Sequence, residues 1–331
     1  MKYNKLPGTE VEVSAIAMGC WALSGDATWG DQDEKDAAEG VQAALDAGIN
    51  FFDTAEMYGR GESERLLGKG LAGRRHEAVV ASKFDPEHSA PGDLAAACHR
   101  SLAFLGTDYI DLYQVHWPSR TVPFEDTWAA LEKLREQGKI RHFGVSNFGA
   151  GNLEALVKVG RPATDQLPYN LLTRQIEFEI LPRCRAKGIG VLCYSPLQLG
   201  LLTGKFRSVA DVPPGRTRTR HFSGAREQSR HGEPGCEAEL FAALDKIRQI
   251  ARECDVGMSD VAIGWLLHQP GVTGVLAGIR NPEQARRNAA AAEVALSDDV
   301  LAALAEATEP VKQALGSNPD MWQTAAESRY R

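Results

Sequence analysis

Three short apolar segments of the sequence each end in a polar residue. INFFD ends in Asp53, AVVASK in Lys83 and YIDLYQVH in His116, and Tyr58 follows Asp53 by five residues. The carboxyl ends of neighbouring parallel strands in a barrel meet at one rim, so sequence-distant side chains become neighbours there. If these segments are such strands, a carboxylate, an ammonium, an imidazole and a phenol meet at that rim.

These four groups together could deliver a proton to a substrate. A free tyrosine has a pKa of about 10 and is a weak acid near neutrality, but an adjacent ammonium stabilises the phenolate. We therefore expect Lys83 to lower the pKa of Tyr58, and Asp53 to hold Lys83 charged and in place. His116 would hydrogen-bond a substrate carbonyl beside the phenol. Each residue alone is equally explained as a cap, a surface charge or a packing residue, so the hypothesis depends on their joint placement.

The elements that would position these residues alternate along the chain. Apolar strand candidates recur between amphipathic segments such as Glu34–Ala47, Asp93–Leu105 and Phe124–Gln137, which is typical of βαβ units. With a first strand near Ser14–Met18, eight candidates indicate an α/β fold, a (β/α)8 TIM barrel. We predict one barrel domain over residues 1–331, with an N-terminal β-hairpin, KLPGTEVEVS, that covers the barrel floor.

A long segment follows the seventh predicted strand. Residues 197–236 are rich in Gly, Pro and Arg and show little periodicity. A loop of this length in a compact domain is commonly functional, for example as a lid, and whether residues 205–236 close over a ligand stays open. Its basic cluster, Arg216–Arg220, is interpreted as a solvated loop face.

Several other motifs fail in their context. Gly68, Gly70 and Gly73 fit G-x-G-x-x-G, but they follow a predicted helix at Ser63–Gly68 and precede a strand, which is the reverse of a dinucleotide-binding loop. These glycines are expected to end the helix. GLLTGKF is one residue short of a P-loop, and the eight histidines show no paired metal-ligand spacing. No metal site is predicted.

Composition limits the class of protein. A net charge of −7 argues against general nucleic-acid binding. The chain has no run of about 18 apolar residues, and its start, MKYNKLPGTE, has no apolar signal core, so no membrane association and a cytoplasmic location are predicted. The six scattered cysteines indicate buried thiols in a reducing compartment. The chain could be a monomer or a homo-oligomer.

Two segments carry a resemblance to a known family. DTAEMYGRGESERLLGKGL and SLAFLGTDYIDLYQVHWP resemble two signatures of the aldo-keto reductase superfamily, and the similarity extends over essentially the whole chain. The resemblance implies a catalytic tetrad of Asp53, Tyr58, Lys83 and His116. Tyr58 would be the general acid in carbonyl reduction and the general base in alcohol oxidation. It also implies a nicotinamide cofactor bound in extended form without a Rossmann loop.

The resemblance further implies a set of cofactor contacts. Ser146, Asn147 and Gln166 match the groups that hydrogen-bond the carboxamide, and Tyr194 matches the aromatic residue that stacks on the nicotinamide. Backbone amides of a loop together with a lysine suit a pyrophosphate. The remaining matches at the nicotinamide end and in the pyrophosphate loop are Gly19, Cys20, Trp21, Ser195, Pro196, Leu197, Gly200, Leu201, Gly204 and Lys205.

The segment AGIRNPEQARRNAAAAE matches the adenosine end of the cofactor site. Arg287 stands where the family commonly has Glu, and the segment is rich in arginine. Arginine pairs well with phosphate, so NADP(H) is predicted as the preferred cofactor, with NAD(H) possible. Gly278, Arg280, Gln284 and Asn288 match the family's pattern and Arg287 departs from it, and these five residues are the expected cofactor contacts of the segment.

The predicted function is that of an NADP(H)-dependent oxidoreductase acting on a small aldehyde, ketone, sugar, polyol or inositol-derived substrate. The similarity is to bacterial members that handle sugars and inositols, while the physiological substrate and direction stay open. The alternative is a non-catalytic, cofactor-binding regulatory subunit of the same fold. Aromatic and apolar residues are expected to line the substrate pocket: Trp21, Trp29, Met57, Phe84 and Trp117.

Overall fold

Eight parallel strands close into a barrel in a computed structural model of the chain, which describes residues 1–25 and 29–331. A two-stranded antiparallel hairpin precedes the barrel. Around the barrel the strands follow the chain order, and the last strand pairs with the first. The hairpin strands are β1 (Tyr3–Lys5) and β2 (Glu12–Ser14), and the barrel strands are β3 (Ile16–Gly19), β4 (Phe51–Asp53), β5 (Val79–Phe84), β6 (Ile110–Val115), β7 (Ile140–Ser146), β8 (Thr164–Pro168), β9 (Gly190–Tyr194) and β10 (Val272–Gly278).

Ten α-helices are described in these two ranges. Three of them, at Ile180–Lys187, Pro282–Ala291 and Asp298–Leu315, were not predicted from the sequence. The first of these is short, the second is a run of Ala and polar residues, and the third contains Pro310. The helices are α1 (Glu34–Asp46), α2 (Glu62–Gly70), α3 (Pro91–Leu105), α4 (Phe124–Glu136), α5 (Ala150–Leu156), α6 (Ile180–Lys187), α7 (Glu237–Glu253), α8 (Met258–Leu267), α9 (Pro282–Ala291) and α10 (Asp298–Leu315). No helix in the described part of the chain has the length and apolar character needed to cross a membrane.

Side chains of the barrel strands alternate between two apolar layers. Phe51 and Ala81 belong to a small inner cluster, whereas Phe52 and Val80 belong to the large outer cluster that packs on the helices. This alternation follows from the two-residue period of a strand. The hairpin region contributes Leu6 and Val13 to the inner cluster. The predicted hairpin floor is therefore confirmed, although Ser14 belongs to the hairpin and the first barrel strand starts at Ile16.

The glycines of the G-x-G-x-x-G pattern serve packing around α2. A Cβ at Gly68 would lie 2.3 Å from the carbonyl oxygen of Leu105, and one at Gly70 would lie 2.6 Å from the Cβ of Val41. Gly73 follows the helix with φ of +78°, a left-handed conformation that glycine adopts without cost. Gly68 and Gly70 lie in the last turn of α2 and Gly73 follows it, so these glycines end a helix instead of opening one, and the exclusion of a Rossmann loop is confirmed.

The segment between β9 and α7 contains only short 3-10 turns, as predicted for the long loop after the seventh barrel strand. The interpretation of its basic cluster as a solvated face is wrong for Arg220. This side chain is buried and donates to the carbonyl oxygens of Leu315 and Asn318, both at 2.9 Å, and to Glu233 at 2.7 Å. A buried guanidinium needs such acceptors, and here they fasten the loop to the end of α10.

Candidate active site

The ammonium of Lys83 is the centre of a buried polar cluster at the barrel mouth. Its Nζ lies 2.6 Å from Oδ1 of Asp53, 2.8 Å from the carbonyl oxygen of Thr54 and 3.3 Å from the hydroxyl of Tyr58. Lys83 and Asp53 are buried, and Tyr58 is half-buried at the mouth. Phe51 and Ala81 lie two residues before Asp53 and Lys83 on β4 and β5 and point into the barrel. Asp53 and Lys83 therefore point to the same side.

Two glutamines hold the second oxygen of the Asp53 carboxylate. Nε2 of Gln166 donates to Oδ2 at 2.8 Å, and Nε2 of Gln114 donates to it at 3.4 Å. The family resemblance assigns Gln166 to the carboxamide, and Gln114 is not among the predicted site residues. Gln114 could have been found from its position on β6, because it lies two residues before His116 and therefore on the same face of the strand.

Burial and neighbouring charges have opposite effects on the pKa values of Tyr58 and Lys83. Burial raises the pKa of Tyr58 and outweighs the lowering by Lys83, so the expectation of a net lowered pKa is wrong. Burial would lower the pKa of Lys83, but Asp53 and Tyr58 raise it above its ordinary value. The structure therefore favours a charged lysine beside a neutral phenol.

His116 lies on the other side of the phenol. Its ring meets the ring of Tyr58 edge-on, with the centroids 5.7 Å apart. Burial, followed by the charges of Lys83 and Arg329, holds the pKa of His116 well below its ordinary range. The imidazole is therefore neutral near pH 7, and a neutral ring can donate one hydrogen bond to a carbonyl oxygen.

An aromatic wall borders this cluster. The ring of Trp21 stacks on Tyr58 with centroids 5.9 Å apart, and Trp29 packs edge-on against Trp21. Met57 is exposed and Trp117 is half-buried.

The assignment of Phe84 to this wall is wrong. Phe84 is fully buried in the outer apolar layer and packs on Tyr113. Successive side chains of a strand point to opposite faces. Because Phe84 follows the inward-pointing Lys83, its side chain points away from the mouth.

The residues matched to the nicotinamide carboxamide lie beside the cluster. Nδ2 of Asn147 donates to the carbonyl oxygen of His116 at 3.0 Å, and the hydroxyl of Tyr194 donates to Oδ1 of Asn147 at 2.9 Å. The hydroxyl of Ser146 donates to the carbonyl oxygen of Gln166. At the opposite side of the mouth, the backbone amide of Cys20, the residue after Gly19, donates to the carbonyl oxygen of Asp53, and the Cys20 thiol is buried.

Two further residues of this region come from the end of the sequence. Tyr330 donates its hydroxyl to Oδ1 of Asn147 at 2.6 Å. The guanidinium of Arg329 lies 3.7 Å from the centroid of the Trp117 ring and is paired with the buried carboxylate of Asp320. Neither is among the predicted site residues, because an isolated polar residue in a non-periodic segment carries no signal of where it packs.

The loop after β9 has an unusual run of left-handed residues. The φ angle is 53° at Ser195, 43° at Gln198, 52° at Leu199 and 93° at Gly200. Successive residues of this kind turn backbone N–H groups toward one side, which suits an anion. The side chains of two of the matched residues, Pro196 and Leu201, are buried, Leu197 is half-buried, and Gly204 has φ of +80°.

Two cations lie next to the turn. A Cβ added at Gly200 would lie 3.1 Å from Nη1 of Arg216 and 3.2 Å from Nζ of Lys205. Arg216 also donates to the carbonyl oxygen of Leu199. The turn therefore combines backbone amides with positive charge.

The residues matched to the adenosine end make contacts within the protein. The guanidinium of Arg280 donates to the carbonyl oxygens of Trp29 and Gly30 and to the side chain of Gln32. The side chain of Gln284 accepts from the backbone amide of Arg280, Asn288 donates to the carbonyl oxygen of Gly278, and Arg287 is exposed. Within residues 1–25 and 29–331 no group of three or more His, Cys, Asp or Glu side chains is arranged to hold a metal ion.

Comparison with known proteins decides which barrel family this is. A model of the aldo/keto reductase family matches residues 15–309. The chain belongs to the aldo/keto reductase family. Among its relatives, the aldo-keto reductase YhdN of Bacillus subtilis is 35% identical over 299 residues, covering 86% of each chain. The NADH-specific methylglyoxal reductase of Escherichia coli is 32% identical over 93% of this chain and 100% of its own.

Solved aldo/keto reductase structures have the same architecture. The glycerol dehydrogenase of Gluconobacter oxydans matches with a TM-score of 0.81 and 31% identity, covering 93% of this chain and 95% of its own. An aldo-keto reductase from Klebsiella pneumoniae, solved in complex with NADPH, matches with a TM-score of 0.73 and 29% identity, covering 92% and 95%. Members of this family are NAD(P)H-dependent oxidoreductases that act on carbonyl groups, and this chain is such an oxidoreductase.

Proposed function

We propose that this chain is an NADP(H)-dependent reductase of small carbonyl compounds, with Tyr58 as the general acid in reduction and the general base in the reverse reaction. The observation that carries the proposal is the position of the Lys83 ammonium, which contacts the carboxylate of Asp53 and the hydroxyl of Tyr58 at once. A phenol with a charged ammonium beside it is suited to give up and retake a proton.

The roles of the other residues follow from their contacts. Asp53 keeps Lys83 charged, and the amide of Gln166 holds the second carboxylate oxygen. Lys83 stabilises the phenolate that remains after Tyr58 donates its proton to the carbonyl oxygen. The neutral imidazole of His116 accepts no proton in this step and orients the substrate carbonyl by a hydrogen bond.

The residues of the mouth fit an extended nicotinamide dinucleotide. The left-handed turn at Ser195–Gly200 leaves a place beside Lys205 and Arg216 that a Cβ at Gly200 would fill, and a pyrophosphate requires such a close approach to backbone amides. Ser146, Asn147, Gln166 and the aromatic ring of Tyr194 would hold the nicotinamide. When bound, the cofactor supplies the hydride that reduces the carbonyl carbon.

NADP(H) is preferred over NAD(H) in this proposal. The adenosine segment carries exposed Arg286 and Arg287 as well as Arg280, and guanidinium groups pair with a 2′-phosphate. The Klebsiella relative bound NADPH, whereas the Escherichia coli relative is specific for NADH, so both cofactors need to be measured. Equal affinity for the two cofactors would contradict this part.

The substrate class is a small aldehyde, ketone, sugar or inositol-derived carbonyl compound. The mouth offers the ring of Trp117 and the exposed side chain of Met57, and an aromatic face accommodates the C–H face of a sugar or a flat carbonyl compound. Relatives named for methylglyoxal reduction and glycerol oxidation act on molecules of three carbons. These support small substrates.

The test follows NADPH and NADH absorbance with methylglyoxal, glyceraldehyde, a sugar series and oxidised inositols, and the reverse reaction with glycerol and inositols. Wild type is expected to oxidise NADPH with at least one of these carbonyls. Tyr58→Phe keeps the aromatic ring but removes the proton, and is expected to reduce kcat by about 10²–10⁴-fold, the usual size of a general acid contribution.

The matched control is Tyr109→Phe, whose ring lies between Arg75 and Arg141 on the residue before β6. It is expected to retain the wild-type rate. A Tyr58→Phe rate comparable to wild type would show that another group is the acid. Cofactor binding with no turnover of any substrate would instead favour the regulatory subunit.

A further inference from the structure

The phenol of Tyr330 reaches the residue that is proposed to bind the carboxamide. Tyr330 is buried, and its hydroxyl lies 2.6 Å from Oδ1 of Asn147, the shortest contact of that amide. The hydroxyl of Tyr194 lies 2.9 Å from the same oxygen and 3.4 Å from the hydroxyl of Tyr330. Two phenols therefore converge on one amide oxygen.

This convergence determines which way the amide of Asn147 faces. A phenol donates one hydrogen bond, and an amide presents an acceptor on one side and two donors on the other. With Oδ1 held by the phenols, Nδ2 faces the carbonyl oxygen of His116 at 3.0 Å and the hydroxyl of Ser146 at 3.1 Å. Rotating the amide by 180° would set its oxygen against the carbonyl oxygen of His116.

The position of Tyr330 is fixed by the contacts of the next residue, Arg331, and by an aromatic neighbour. The backbone amide and carbonyl oxygen of Arg331 pair with the side chain and backbone amide of Asn152, both at 2.8 Å. A Cβ at Gly149 would lie 2.3 Å from the carbonyl oxygen of Arg331, so only glycine permits this approach. On the other side, the ring of Trp117 packs edge-on against Tyr330.

We propose that Tyr330 is a positioning residue of the cofactor site, which orients Asn147 for the nicotinamide carboxamide and thereby sets the affinity for the nicotinamide end of NADP(H). The inference rests on the proposed function, because it requires Asn147 to contact that carboxamide. It makes a segment more than 150 residues distant in sequence from Asn147 part of the site.

The test compares two ligands that share only the adenosine end. NADPH and adenosine 2′,5′-bisphosphate are titrated against wild type and Tyr330→Phe by quenching of tryptophan fluorescence. Loss of one orienting hydrogen bond is expected to weaken NADPH binding by about two- to tenfold. The affinity for the bisphosphate is expected to stay unchanged, because that ligand has no nicotinamide.

A double-mutant cycle asks whether the effect passes through Asn147. Asn147 has φ of +63°, so Asn147→Gly removes the side chain without straining the backbone. Asn147→Gly is expected to weaken NADPH binding, and adding Tyr330→Phe to it is expected to change the affinity by less than about twofold, because coupled residues are not additive. Tyr3→Phe, which removes a hydroxyl that contacts Gly48, is the control with wild-type affinity.

The outcomes separate this inference from the function on which it rests. If Asn147→Gly weakens NADPH binding and Tyr330→Phe does not, the positioning role alone is overturned. Equal weakening of NADPH and the bisphosphate by Tyr330→Phe would mean a general structural effect and would also overturn it. If wild type binds NADPH no better than the bisphosphate, both the nicotinamide site and the inference fail.

Discussion

The ammonium of Lys83 contacts Asp53 and Tyr58 at the same time, in a site where burial opposes every charge. The raised pKa of Lys83 keeps it charged, and the raised pKa of Tyr58 keeps the phenol protonated. In the proposed mechanism the lysine would therefore act after proton transfer, by stabilising the phenolate, and would not make the tyrosine of the free enzyme acidic.

These shifts predict the pH dependence of the two reaction directions. In the proposed mechanism reduction requires a protonated Tyr58, so kcat/KM for reduction is expected to stay level through neutral pH and to fall only above about pH 10, the ordinary tyrosine value. Oxidation requires the phenolate, so its rate is expected to rise about tenfold per pH unit below that pKa. Because the pKa of His116 is well below its ordinary range, neither profile should bend near pH 6.5.

The measurement is a pair of steady-state profiles between pH 5 and 10.5, with wild type and His116→Gln. A bend in the reduction profile near pH 6.5 that disappears in His116→Gln would mean that the imidazole titrates, contrary to its burial. The same profiles measured with Tyr58→Phe show whether the fall of kcat/KM at alkaline pH is caused by ionisation of the Tyr58 phenol.

At the scale of single residues, the sequence predicts which side chains lie close together better than it predicts their pKa shifts. The positions of Asp53, Lys83 and His116 at strand ends were enough to predict that these side chains meet at one rim. The predicted direction of the pKa shift of Tyr58 was wrong, because desolvation depends on everything that packs around the hydroxyl. Phe84 was assigned to the mouth although it follows Lys83 on the strand and therefore points to the opposite face. Nothing near Tyr330 in the sequence indicates that it contacts Asn147.

Secondary-structure elements were predictable where their own pattern was strong. The strands were located to within two residues because they are short apolar runs. The amphipathic helices α1, α3 and α4 were located equally well because one apolar face repeats with the helical period. Helix α9, by contrast, is mostly alanine and polar residues, and α10 contains a proline. Their positions depend on packing that is set by distant parts of the chain.

The long loop after β9 is expected to be held by Arg220. Arg220→Met keeps the apolar stem but leaves the carbonyl oxygens of Leu315 and Asn318 without their donor, and unsatisfied buried groups cost about 1–3 kcal/mol each. The free energy of unfolding in urea is expected to fall by about 2–4 kcal/mol, with faster proteolysis inside residues 205–236.

Arg207→Met is the matched control, because Arg207 is an exposed arginine of the same loop, and it is expected to leave both quantities unchanged. Wild-type stability and protease resistance in Arg220→Met would mean that the loop is held by other contacts. Adding NADP⁺ to both variants tests separately whether the cofactor protects the loop.

The whole molecule has two ends with different tasks. The hairpin closes the floor with Leu6 and Val13 against the inner apolar cluster, and the polar cluster lies at the mouth. Barrel enzymes commonly separate stability and catalysis in this way. Leu6→Ala is therefore expected to lower the free energy of unfolding by about 2–5 kcal/mol with kcat unchanged at temperatures where the variant is folded.

Urea unfolding followed by circular dichroism, together with kcat of the same samples, checks this separation. Glu10→Ala, an exposed change in the same hairpin, is the control for both measurements. A loss of kcat in folded Leu6→Ala that matches the loss of stability would mean that the floor and the mouth are mechanically coupled.

Arg280 joins two loops at the rim of the barrel. Its guanidinium donates to backbone oxygens of Trp29, Gly30 and Asp31 and to the side chain of Gln32. If an anion binds this guanidinium and breaks these hydrogen bonds, the loop that carries Trp29 at the barrel mouth loses them. By thermodynamic linkage the effect is reciprocal, so a substrate that depends on that loop changes the affinity for the anion by the same factor. Preference for one dinucleotide and preference for one carbonyl compound would then be selected together.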